Sequence, residues 1–363
     1  MPSPVRWLIP AYIVAPALLL AQQPKPEAKP DTTPHKPARL FRADREPVVA
    51  WLEADFKTVF KDRDTNSLKT RRYPAKLRYV EPKGDTVEFK VELATRGNFR
   101  LARANTRGCD YSPVKVYFNK EETRGSLFGG EGSLKLGTHC KNGDRYTQNT
   151  LMEYAIYGMY NLLTPLSFKA RLSTMTWIDP GNPKFTVTQP AIWLQDDEDL
   201  AKEFRGKVIK QQGANAVEME PRQMAITDLF QYMIANTDFS LWALHNFIIV
   251  QTDTSMNYYP IAYDFDWAGL VDAPYAFPDY RLSIRRTTDR LYRGTTCHPP
   301  ELVSKVVDLF KAKKDSIYGV LRGVNGLNAA RLKEATSFLD EFFKELNDGG
   351  AVKRLFQRPC NQS

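Results

Sequence analysis

Asp238, Asn246 and Asp264 follow one another as acid, amide and acid within a single stretch running from Asn236 to Gly269. Residues of these types can serve phosphoryl transfer. That reaction asks a protein for positioning and charge compensation more than for covalent work. One carboxylate receives or orients the acceptor hydroxyl. An amide oxygen and a second carboxylate hold Mg²⁺ or Mn²⁺ on the phosphates. Asp238 suits the first role, and Asn246 and Asp264 suit the second. Asp266 is either a further metal contact or a cap. His245 either orients the loop, contacts substrate or is an ordinary structural histidine. Asp and Asn are also common turn formers that bond to nearby backbone. The order of the three residues, and the hairpin between two of them, favours the chemical reading.

The flanking elements must bring the three together. Met224, Ile226, Leu229, Phe230 and Met233 recur at helical spacing, which predicts a helix over 221–236 ending just before Asp238. Strands are expected over 247–251 and 258–263, with a turn at 252–257. The outer ends of such a hairpin meet, so Asn246 and Asp264 should be neighbours. Upstream, period-two alternation predicts strands over 76–80, 86–93, 114–118 and 133–136, with 168–177 and 190–194 further on. Residues 48–60 read as strand or short helix. A helix is expected from about Gln148 to Leu163 and a short one from Leu200. Two helices are expected over 301–321 and 327–347.

The 363 residues are 42% hydrophobic, enough for one large domain or two packed lobes. The net charge of +9 reads as a solvated surface or a basic cleft. With no zinc-finger spacing, RNP-like motif or basic arm, no nucleic-acid partner is expected. Residues 1–21 read as a signal peptide: Arg6, an apolar run from Trp7 to Leu20, then Ala21. That run is short for a bilayer, so no stable membrane span is expected. Residues 22–45 carry five prolines and many charges and read as a disordered linker. Cys109, Cys140, Cys297 and Cys360 make an even count, which in an exported chain suggests disulfides. Three pairings are possible. Cys109–Cys140 with Cys297–Cys360 is preferred because each joins neighbouring parts of one lobe.

Arg96-Gly-Asn-Phe-Arg, Ser133-Leu-Lys-Leu-Gly-Thr-His-Cys, the helix bearing Glu153, the Asn236-Thr-Asp and His245-Asn loop, and Tyr263-Asp-Phe-Asp resemble motifs of the spore-coat-protein-H (CotH) kinase-like proteins. The nearest likeness is to uncharacterised exported bacterial relatives of that family. The motifs span roughly residues 75 to 270. The resemblance implies an α+β, two-lobed, atypical protein-kinase-like fold, with a β-rich lobe over 46–195 and a helical lobe over 196–363. It implies ATP with Mg²⁺ or Mn²⁺, and a protein substrate phosphorylated on Ser or Thr by a monomer. Asp238 then resembles the catalytic carboxylate, and Asn246 and Asp264 the metal ligands. Lys135 on a strand and Glu153 on the next helix resemble the pair that holds the α- and β-phosphates, with Lys115 a rival for the lysine role. Arg96 falls in a turn near the phosphates, or in an ordinary β-turn. Departures from the family pattern are visible. Asp238 and Asn246 are eight positions apart, and the Gly125–Gly132 segment lacks GxGxxG spacing. Gln195–Asp199 falls where a hinge would lie and meets either a nucleotide base or solvent. An inactive binding protein on the same frame, or a phosphotransferase acting on a small molecule, is the alternative expectation.

Overall fold

The computed structural model describes residues 37–42, 46–62, 71–97, 108–253, 255, 257–357 and 360. The expected signal peptide and most of the expected linker lie outside these residues. The linker's last part is not extended, since Arg39–Arg42 forms a short helix (α1) with Leu40 buried.

Seven strands of the first half close into a barrel: β1 (Val48–Ala54), β2 (Tyr73–Val80), β3 (Thr86–Thr95), β4 (Val114–Phe118), β5 (Ser133–Thr138), β6 (Ala170–Ile178) and β7 (Val187–Leu194), in the ring order β1-β2-β3-β4-β5-β7-β6. Their sequences alternate as an inside–outside wall requires; β4 and β5 bury every second side chain. Trp177, Trp193, Phe56 and Phe128 fill the interior at under 2% exposure. Each such side chain contributes on the order of 1.5–3 kcal/mol of burial. The ring closes because β1 runs parallel to β6, with Val48 opposite Ser173 and Glu53 opposite Ile178, whereas the other neighbours pair antiparallel. Closure leaves no free barrel edge. Phe56–Val59 (α2) follows β1, so the 48–60 segment holds both a strand and a helix.

The rest packs several helices and a small sheet around a second core. It contains α3 (Asp144–Leu163), α4 (Asp197–Glu203), α5 (Pro221–Met233), α6 (Pro300–Arg322), α7 (Ala329–Leu346) and α8 (Gly349–Gln357). A separate antiparallel sheet of order β10-β9-β8 joins them: β8 (Gly206–Ile209), β9 (Phe247–Thr252) and β10 (Tyr258–Ala262). The short β8 and the helix α8 were not expected. Both disulfides form as preferred, Cys109–Cys140 and Cys297–Cys360. Among the described residues no helix is long and apolar enough to cross a membrane.

The two-lobed kinase-like fold with a helical second lobe, implied by the motifs, is corrected by this architecture. The β-rich half is a closed seven-strand barrel with one parallel pairing, and the second half carries a sheet of its own. The physical reason is the β1–β6 contact. Alternation marks a strand but not its partner, and a pairing between residues more than a hundred positions apart leaves no local trace.

Candidate functional site

Helix α5 starts at Pro221, with the Glu220 carboxylate accepting from the Gln223 amide at 2.6 Å. Every residue from Gln223 to Met233 is buried, so the exit of this helix is fixed in space. Ala235 then takes a left-handed φ of 50°. Asn236 folds back on Gln231 through backbone and side-chain hydrogen bonds of 2.8 and 3.0 Å. Its Oδ1 accepts from the Asp238 amide at 3.1 Å, a local turn that sets the Asp238 backbone. Arg293 clamps the same loop from outside by donating to the carbonyls of Thr237 and Phe239.

The loop closes on itself through reciprocal backbone bonds between Ser240 and His245, of 3.0 and 2.9 Å. His245 Nε2 then lies 3.0 Å from Asp238 Oδ1. This bond to Asp238 raises the histidine pKa above its ordinary value, against an opposing effect of burial. Asn246 donates through Nδ2 to the Asp238 carbonyl at 2.7 Å and to its Oδ2 at 3.0 Å. Asn246 therefore ties Asp238 to the β9–β10 hairpin. At the hairpin's outer end the Tyr263 amide donates to the Asn246 carbonyl at 3.1 Å, which sets Asn246 beside the Tyr263–Asp264 step.

Asp264 is held from the opposite side. Its amide donates to the Tyr157 hydroxyl at 2.9 Å, and Arg96, at the end of β3, comes within 3.9 Å of its carboxylate. Tyr157 stands one helical turn beyond Glu153 on α3, on the same face. Burial pushes the Tyr157 hydroxyl far above its usual pKa, and the charges of Glu153 and Asp264 add to the effect. It therefore stays protonated. Tyr263 is pushed up to about 12, by burial first and Asp264 second.

Arg96, Lys135, Glu153, Tyr157, Asp264 and Asp266 line one small cavity of about 30 Å³. Five residues singled out in the sequence thus converge, from β3, β5, α3 and the segment after β10. Asp266 accepts a hydrogen bond from Tyr275 at 3.0 Å. Lys135 meets Asp197 at 2.5 Å. Burial lowers the Lys135 pKa, opposed by Asp197. Its ammonium also lies 4.4 Å from the Tyr263 ring centroid. Lys115 is not part of this cavity. It lies directly opposite Lys135 in the β4–β5 ladder and meets Asp196 at 3.9 Å. The acidic run therefore serves both lysines: Asp196 caps α4, and the two acids offset a cross-strand pair of like charges. The glycine-rich segment 125–132 takes no part in the cavity and delivers Phe128 into the barrel core.

Five of the six non-glycine residues with positive φ among those described fall in this region: Ala235, Leu244, Asn246, Asp264 and Asp272. Backbone strain of this kind costs of order 1–3 kcal/mol per residue and concentrates at functional sites. Asn and Asp tolerate it best, which suits Asn246 and Asp264. Among the described residues no three His, Cys, Asp or Glu side chains are grouped to hold a metal. A cation at Asp264 would share an amide and one or two carboxylates with phosphate and water, as Mg²⁺ commonly does.

No protein-family model matches the chain, and no curated protein matches it at a significant level. The likeness to the spore-coat-protein-H proteins thus rests on the motifs themselves. Sequence reasoning missed Tyr157 and Arg293, and it placed Asp197 in a hinge-like or solvated run without pairing it to Lys135. Only Tyr157 carried a signal, its spacing of four from Glu153.

Proposed function

We propose that this protein is an exported, metal-dependent phosphotransferase that moves the γ-phosphate of a nucleoside triphosphate to an alcohol hydroxyl. The observation that carries this reading is the position of Asp238. It accepts from Asn246, whose carbonyl accepts from the amide of Tyr263, a residue that lines the Asp264 cavity, and it lines an open groove itself. A carboxylate between a phosphate-type pocket and an acceptor groove is what in-line transfer needs. Asn246 and Asp264 would hold the cation, with Asp266 beside them, and Lys135 and Arg96 would meet phosphate oxygens. The acceptor oxygen forms a bond to the γ-phosphorus. The bond to the β–γ bridging oxygen breaks, its electron pair leaves with the diphosphate, and the hydroxyl proton passes to Asp238. The proposal stands on the site and not on the fold. Two disulfides support export.

A second reading, a binding protein without turnover, is favoured by one observation. The cavity has room for about one water, and Arg96 and Lys135 already hold acid partners. Nucleotide entry requires both cations to exchange those acids for phosphate.

The test is Mn²⁺-dependent ATP binding by thermal shift, together with transfer of labelled γ-phosphate. Ligand at a hundred times Kd should raise stability by about 2.7 kcal/mol. Asp264→Asn should lose the shift, whereas Asp238→Asn should keep it and lose transfer. No metal-dependent shift in the wild type refutes the phosphotransferase reading and favours a binding protein that takes no nucleotide, whereas a shift without transfer refutes turnover alone.

A further inference from the structure

The groove beyond Asp238 has a volume of about 720 Å³ and is walled by the 237–245 loop and by residues 277–282. Its chemistry is uneven in a telling way. Three of the large hydrophobic side chains exposed on the described surface are aromatic: Trp242, Phe277 and Tyr280, at 66%, 43% and 93% exposure. Phe277 and Tyr280 line the groove, and Trp242 is carried by the loop that forms one wall. Trp267 adds a further face, packed against Phe277 at 5.0 Å between ring centroids.

The charged side chains in the same groove are each held by hydrogen bonds. Asp279 is bound by Arg281 through both carboxylate oxygens. Asp238 is bound by His245, and Arg293 is spent on the carbonyls of Thr237 and Phe239. The groove therefore offers ring faces and fixed polar edges, and its lining carboxylates, Asp238 and Asp279, are matched in number by the guanidinium groups of Arg281 and Arg293. The lining favours neither sign of ligand charge. Nor is there a strand edge among the lining residues to which an extended peptide backbone could add.

We infer that this groove receives a neutral saccharide chain, and that a sugar hydroxyl is the group presented to Asp238. A pyranose ring has an apolar face that stacks on aromatic rings and a rim of hydroxyls that bonds to fixed carboxylate and guanidinium edges. This inference rests on the phosphotransferase reading for its chemical outcome, but not for the binding itself. In the transfer, the sugar oxygen bonds to the γ-phosphorus of the nucleoside triphosphate. The β–γ bridging bond breaks with its electrons going to the diphosphate, and the sugar proton goes to Asp238.

The experiment is calorimetric titration of the full chain with neutral hexasaccharides of glucan, xylan, mannan, galactan and chitin type, and with Ser/Thr peptides as the competing class. At least one saccharide should bind. Tyr280→Ala and Phe277→Ala should each weaken it roughly three- to tenfold, the loss expected for one stacking partner. Tyr280 is almost fully exposed, so its replacement leaves the fold intact. Asp264→Asn should keep saccharide binding within twofold while losing metal–nucleotide binding, which separates failure of this inference from failure of the phosphotransferase reading. Absence of binding to every saccharide overturns the inference. So does peptide binding that Tyr280→Ala weakens, or saccharide binding that neither aromatic substitution changes.

Discussion

Lys135→Met separates a phosphate contact from a structural ion pair. Lys135 is 12% exposed, meets Asp197 at 2.5 Å and lies over the Tyr263 ring at 4.4 Å. Methionine keeps most of the methylene stem in its slot and gives the aromatic ring a sulfur neighbour in place of a cation. Two losses follow, and they differ in size. The ion pair to Asp197 goes, but that carboxylate is 33% exposed and stands at the N-terminus of α4, where water and the helix dipole stabilise it. The stability loss is then about 1 kcal/mol or less, at most about 1.5 °C in melting temperature for a chain of this size. The second loss is felt only by bound nucleotide. A charge-assisted hydrogen bond to phosphate contributes about 1.5–3 kcal/mol, so affinity for Mn²⁺–ATP should fall roughly ten- to hundredfold. Titration calorimetry measures the affinity, and differential scanning calorimetry the melting. Wild-type affinity in Lys135→Met would refute the phosphate role. A large melting drop with unchanged affinity would make Lys135 purely structural.

Two further predictions concern pH and cross-links. The bond to Asp238 raises the His245 pKa above the ordinary value of 6.5, so its stabilisation is present in full below pH 6.5 and is lost as pH rises through the higher folded value. His245→Gln should therefore be less stable than wild type at pH 5.5, by under about 1 kcal/mol for so exposed a pair, with the gap closing by pH 9. Urea unfolding at the two pH values measures this, and a gap that widens with pH contradicts it. The Cys297–Cys360 bridge closes a separation of 63 residues and Cys109–Cys140 one of 31, so loop entropy gives roughly 4.3 and 3.7 kcal/mol. Paired Cys→Ser variants should lower urea midpoints in that order, and unchanged midpoints would show that the bridges constrain little.

Much of the local structure was legible in the chain. The strand 114–118, the α5 helix and the hairpin between Asn246 and Asp264 are all set by short-range periodicity and turn residues, and each formed close to where the pattern placed it. Adjacency of Asn246 to the Tyr263–Asp264 step follows from antiparallel geometry alone. The cysteine pairing followed from proximity along the chain.

Tertiary structure decided the rest. Nothing local in Val48–Ala54 indicates that it runs parallel to β6 and closes a barrel, because strand partners are chosen by the whole packed sheet. The acid that meets Lys135 was decided the same way. A charged run at 195–199 reads as a hinge that meets a nucleotide base or as a solvated loop, yet capping of α4 by Asp196 turns it toward both lysines. The groove beside Asp238 exists only because loops from 237–245 and 277–282 meet over the exit of α5. Chemistry-bearing residue types are written along the chain. Which of them face one another depends on contacts between distant segments, and those are settled only when the core is packed.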